Sequence, residues 1–119
     1  MVQILPVREN VTTWVDVCLL SAIAPYTGVC ALVEGEQVAI FRVGNEADVY
    51  AISNYDPFSK AFVLSRGIVG DRNGILKVAS PIYKQNFSLL TGQCLDDETV
   101  KVPTFPVRVV DDMVQVAVS

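Results

Sequence analysis

Ser80-Pro81-Ile82-Tyr83-Lys84-Gln85-Asn86-Phe87-Ser88-Leu89-Leu90-Thr91-Gly92 is the stretch from which this 119-residue chain is best read. It opens on a turn at Ser80-Pro81, enters a short strand over residues 87–90 and closes on a Thr-Gly turn. Just upstream, residues 68–69 and 75–78 flank Asn73-Gly74, a pair whose tolerance of positive φ favours a tight type I′ hairpin. Downstream, Asp96-Asp97-Glu98 reads as a solvated acidic turn. Pro103 and Pro106 then restrict the chain ahead of a strand at residues 107–110. Asp111-Asp112 turns it back into a last strand, residues 113–118, with Val114, Val116 and Val118 on one face.

The N-terminal half has the same character. Residues 12–20 read as a strand in which Val15, Val17 and Leu19 alternate with Trp14, Asp16 and Cys18. Residues 21–28 connect, with room for one helical turn, and are broken by Pro25 and Gly28. Strands follow at 29–33 and 37–43 around Glu34-Gly35-Glu36, in which Gly35 takes a positive φ. A turn at 44–47 leads to a strand at 48–53. Residues 56–67 alone carry helix signals: Asp56 as cap, Pro57 at the first position, Phe58, Ala61, Phe62 and Ser65 on one face, and Gly67 as the stop. A structured loop accounts for the same residues. The expected fold is a mostly antiparallel all-β sandwich or barrel of about nine or ten short strands with at most one or two short helices. It forms one domain over residues 1–119, with its core at about 12–118.

Hydrophobic residues make up 51% of the chain without glycine, where about 45–50% with glycine included is usual. A well-filled β core and an apolar surface covered by a partner both account for this. No apolar run reaches the ~18 residues of a membrane span. Residues 1–11 contain Arg8 and Glu9 and lack the basic start and apolar stretch of a signal peptide. The expectation is a cytoplasmic protein with no membrane partner. The net charge of −4 argues against nucleic acid, because phosphate neutralisation needs clustered cations.

Histidine is absent. That excludes His-ligated zinc, Ser-His and Cys-His nucleophiles, and imidazole acid–base work. Cys18, Cys30 and Cys94 are odd in number and form no Cys-x-x-Cys pair, so they read as buried free thiols. The glycines form no phosphate-binding pattern.

The outline Ser80-Pro81-Ile82-Tyr83, followed by an aromatic residue and Thr91-Gly92, resembles the second cluster-holding loop of Rieske iron–sulfur domains. There Cys-Pro-x-His occupies those positions. The strand Val49-Tyr50-Ala51-Ile52-Ser53-Asn54 and the pair Pro106-Val107-Arg108-Val109 extend the resemblance along nearly the whole chain. A Rieske cluster needs two thiolates on one iron and two imidazoles on the other. The matching positions hold Asp56 and Phe58 in the first loop and Ser80 and Tyr83 in the second, so the resemblance covers the frame without the metal ligands.

Three segments more closely resemble the small subunit of the assimilatory NAD(P)H-dependent nitrite reductase of bacteria, a cluster-less Rieske-like family. They are Asn54-Tyr55-Asp56-Pro57-Phe58-Ser59, Leu64-Ser65-Arg66-Gly67-Ile68-Val69-Gly70 and Leu76-Lys77-Val78-Ala79-Ser80-Pro81-Ile82-Tyr83-Lys84-Gln85. The resemblance implies an accessory chain without catalytic residues, cofactor or metal of its own. It also implies a partner large subunit that carries FAD, an iron–sulfur cluster and sirohaem and reduces nitrite to ammonium. A free-standing interaction or ligand-binding module on the same degenerate frame is the alternative. A Rieske ferredoxin is opposed by the four missing ligands.

Individual residues suggest where a partner would sit. Lys60, Arg66, Arg72, Lys77 and Lys84 face only Asp71 between residues 60 and 84, in a chain that is acidic elsewhere. Phe58, Lys60, Arg66, Lys77, Tyr83 and Lys84 are therefore the candidate interface residues, with the aromatics as anchors; ordinary solvated loop residues are the competing account. Asp56 reads as a helix cap rather than an acid–base group, since a lone carboxylate does little such chemistry. Ser80 and Tyr83 read as an internal brace of their loop.

Overall fold

The computed structural model describes residues 13–44 and 47–117. The beginning of the first expected strand at Thr12, part of the 44–47 turn, Val118 and the whole of residues 1–11 lie outside them. Twelve strands follow one another among the described residues. They are β1 (Val15–Leu19), β2 (Thr27–Val33), β3 (Glu36–Val43), β4 (Asp48–Ser53), β5 (Tyr55–Asp56) and β6 (Ala61–Phe62). After these come β7 (Ile68–Arg72), β8 (Ile75–Ala79), β9 (Asn86–Ser88), β10 (Thr104–Phe105), β11 (Val107–Val110) and β12 (Met113–Val116). Single 3-10 turns lie at Leu20–Ala22 and Leu64–Arg66. The count exceeds the nine or ten expected because β5, β6 and β10 are two-residue pairings that no periodicity announces.

The central sheet runs β10-β4-β3-β2, and it is covered on both faces. Val38 and Ile40 of β3 pack with Leu20, Ile23, Val114 and Val116, so the sheet β1-β12-β11 covers one side. Ala39 and Phe41 pack with Leu64, Val78 and Phe87, so the sheet β7-β8-β9 covers the other. This explains why Val38-Ala39-Ile40-Phe41 is an unbroken apolar run rather than an alternating one: all four are fully buried, as in a strand with two covered faces. Burying each of the larger side chains contributes roughly 1.5–3 kcal/mol. The architecture is an antiparallel layered sandwich, and the described sheets do not close into a barrel.

Three hairpins use two-residue turns, with Val33 paired to Glu36, Arg72 to Ile75 and Val110 to Met113. All their turn residues have positive φ: Glu34 and Gly35, Asn73 and Gly74, Asp111 and Asp112. This is the type I′ geometry, whose twist suits the flanking strands. The Asn73-Gly74 expectation holds, and Asp111 as well as Asp112 is left-handed.

Two expectations are overturned. In β1 the register shifts between Asp16 and Cys18. The bulge adds a residue and ends the simple alternation, so Leu19 is 48% exposed while Leu20 enters the core. Residues 56–67 are not a helix. Tyr55 pairs with Phe62 and Asp56 with Ala61, a turn joins them, and one 3-10 turn follows. Lys60 at φ 58 breaks any helical continuation, because the left-handed conformation does not extend a right-handed helix. The structured-loop account of this stretch stands.

Candidate functional site at the paired proline turns

The two loops on which the resemblance rested are built alike. In Asp56-Pro57-Phe58-Ser59-Lys60 the carbonyl of the first residue accepts the Lys60 N–H at 2.7 Å. In Ser80-Pro81-Ile82-Tyr83-Lys84 the Ser80 carbonyl accepts the Lys84 N–H at 3.1 Å. Each first side chain also accepts the N–H two residues on, Phe58 to Asp56 Oδ1 at 2.9 Å and Ile82 to Ser80 Oγ at 3.3 Å. Short polar side chains favour such local turns, and proline in second place fixes the φ the turn requires. Both turns end on a lysine with positive φ, 58° at Lys60 and 65° at Lys84.

The turns meet at their first residues. Ser80 Oγ donates to Asp56 Oδ2 at 2.5 Å, and Ser59 Oγ donates to the same oxygen at 2.9 Å. Asp56 is fully buried and Ser80 almost so. Burial pushes the Asp56 carboxyl up, but hydrogen bonds from Ser80, Phe58 and Ser59 outweigh it and hold the group below the usual carboxylate range. Asp56 is thus an ionised structural acceptor. It caps a turn rather than a helix.

Neighbouring side chains fix both turns to the sheets. Buried Asn54 accepts the Ser65 N–H at 2.7 Å and donates to Gln37 Oε1 at 3.2 Å, tying the first turn to β3 and to the 3-10 turn. Asp96 accepts the N–H and side-chain amide of Asn86 at 2.8 and 2.9 Å and pairs with Arg72 at 3.1 Å. The acidic turn expected to be merely solvated therefore anchors the exit of the second loop. At the far end of that loop Gly92, with φ 77°, lies against the Val102 carbonyl.

Several sequence-singled residues come together here and others do not. Lys60, Lys84, Arg66 and Tyr83 are exposed on or beside the turns. Phe58 is half-buried, its ring centroid 6.2 Å from that of Phe87, so it braces the core. Lys77 is half-buried in mid-β8, its side chain over Gly70, and Arg72 is engaged by Asp96. Ser80 does brace the loop, whereas Tyr83 is 60% exposed. Of the thiols, Cys94 is buried, Cys18 half-buried and Cys30 exposed, with Cys30 Sγ accepting from Asn54 at 3.3 Å. Burial as expected for Cys30 fails because it lies on β2, an edge of the central sheet. Sequence reasoning missed the shared Pro-x-x-Lys pattern of the two loops, the signal that would have revealed the paired turns.

The geometry does not suit a Rieske [2Fe–2S] cluster. The residues that the resemblance sets at the two Cys positions are a carboxylate and a hydroxyl, joined to each other across the space between the loops. Phe58, which the resemblance sets at a His position, is a phenyl ring packed inward. Among the described residues no group of three or more His, Cys, Asp or Glu side chains could hold a metal ion.

The model of the Rieske-like [2Fe-2S] domain family matches residues 13–117. The small subunit of NADH nitrite reductase from Salmonella typhimurium is 51% identical over 102 residues, covering 86% of this chain and 94% of that protein. The chain belongs to the nitrite reductase small-subunit family. The solution structure of a family member, the nitrite reductase [NAD(P)H] small subunit from Erwinia carotovora, matches with a TM-score of 0.77. The two are 50% identical, over 89% of this chain and 82% of that one. The family's domain also occurs inside a longer protein. The nitrite reductase [NAD(P)H] large subunit of Klebsiella oxytoca contains a stretch 42% identical to 81% of this chain, and that stretch is 10% of its length.

Proposed function

We propose that this chain is the accessory subunit of a cytoplasmic NAD(P)H-dependent nitrite reductase, acting by association with the large subunit rather than by chemistry of its own. The large subunit would carry FAD, an iron–sulfur cluster and sirohaem, and would reduce nitrite to ammonium. The observation that carries this reading is the Ser80–Asp56 hydrogen bond at 2.5 Å. It joins the two loops where a cluster would otherwise join them, so the Rieske frame persists as a shaped surface rather than as an electron carrier. The Klebsiella relationship supports the partner: there a domain like this one is covalently part of a protein named as a large subunit, which raises its effective concentration at whatever surface it meets. Among the described residues no helix is long and apolar enough to cross a membrane.

Reconstitution tests the reading. Adding the purified chain to a sirohaem-containing large subunit should yield a complex and raise NADH- or NADPH-driven nitrite reduction. No complex and no change in rate would refute it, and iron–sulfur absorbance in the isolated chain would refute the cofactor-free part.

A further inference from the structure

We propose that the paired proline turns form a cationic docking surface with an apolar centre, complementary to an acidic face of the large subunit. The proposal rests on the accessory-subunit reading and adds which face is used and what it meets.

Contiguity follows from the backbone. The turns are joined through Ser80 and Asp56. Ile68 pairs with Ala79, the residue before Ser80, and Gly67 lies against the Ala79 carbonyl, so Arg66 and Ile68 flank the second turn. Lys60, Arg66 and Lys84 are exposed, and none has a carboxylate partner among the described residues. The carboxylate beneath them, Asp56, is fully buried and taken up by its own hydrogen bonds. Ile68, Ile82 and Tyr83 add apolar surface at 74%, 45% and 60% exposure. A protein of net charge −4 therefore presents one local patch of opposite sign. Such a patch steers association with a negative surface, while exposed aromatic and Arg side chains supply the contacts that hold it.

Both turns end on a lysine with positive φ, a conformation that Tyr26, Glu34, Asn73, Asp111 and Asp112 also take. A long side chain is disfavoured in that conformation.

The double substitution Lys60→Asn with Lys84→Asn tests this, because Asn accepts a left-handed backbone better than Lys. The variant should melt no lower than wild type. Its association rate constant with the separately purified large subunit should fall about tenfold at low salt, the difference shrinking as salt rises. Tyr83→Ala should instead speed dissociation, and Lys101→Asn, which removes one exposed cation outside the two turns, should change neither rate. If wild type binds and the double variant binds within about twofold of it at low salt, the docking face lies elsewhere and the proposal is overturned while the accessory-subunit reading stands. If wild type itself does not bind, both fail.

Discussion

Replacing Ser80 with alanine removes one oxygen atom at the junction of the two turns. Two hydrogen bonds go with it: the 2.5 Å donation to the Asp56 carboxylate and the 3.3 Å bond from the Ile82 N–H. A bond to an ionised acceptor contributes about 1.5–3 kcal/mol. The Ile82 N–H belongs to a residue 45% exposed, so water takes up much of that loss and it adds about 0.5 kcal/mol. Asp56 keeps Phe58 and Ser59 as donors and remains ionised. The expected destabilisation is therefore about 2–3 kcal/mol, a large share of the roughly 5–15 kcal/mol typical of a domain. Urea unfolding at pH 7 should show a lower midpoint with an unchanged slope, and melting should fall by roughly 10 °C. A double-mutant cycle with Asp56→Asn should return a coupling of at least about 1 kcal/mol. A loss below about 0.5 kcal/mol with no coupling would mean that the turns stand without their joint, and the structural argument for a replaced cluster would fall.

The remaining predictions concern acid and the Thr-Gly turn. Asp56 has its folded pKa depressed, with burial opposing and the hydrogen bonds prevailing. Its contribution is thus fully present above the unfolded aspartate value of about 3.9 and is lost as pH falls through the lower folded value. Asp96, held down chiefly by Asn86 and aided by Arg72, acts in the same direction. Wild type should therefore lose more stability than Asp56→Asn on acidification below about pH 4, as read by urea midpoints; parallel acid limbs would contradict the assignment. Gly92→Ala combines an unfavourable φ of 77° with overlap of its new methyl and the Val102 carbonyl. We expect a loss of about 2 kcal/mol or more, or failure to accumulate folded protein. A stability within about 0.5 kcal/mol of wild type would show that the backbone there yields.

Much of the fold was legible because its determinants are local. Asn73-Gly74 specifies a type I′ turn through its own φ preferences, Gly35 marks the turn between β2 and β3, and the strands between them follow from apolar patterning. Reading failed where a residue answers to something distant or irregular. The bulge in β1 turned Leu19 outward against its alternation, and the partner β12 lies at the far end of the chain. Phe58, Ala61, Phe62 and Ser65 have helical spacing, yet Phe58 is drawn to Phe87 and Asp56 to Ser80. Those contacts outweigh a short, weak helix, as tertiary packing commonly does.

The opening stretch divides the same way. Its sequence alone determined a turn, a strand and a Thr-Gly turn, and showed that no thiolate or imidazole stood where a Rieske cluster needs one, because ligand chemistry is a property of residue type. Only the tertiary structure decided what stands there instead. Ser80 meets a carboxylate 24 residues away in sequence, and Gly92 is required by a carbonyl from a later loop. Separations of that kind are set by the packing of sheets against one another, which no local pattern encodes.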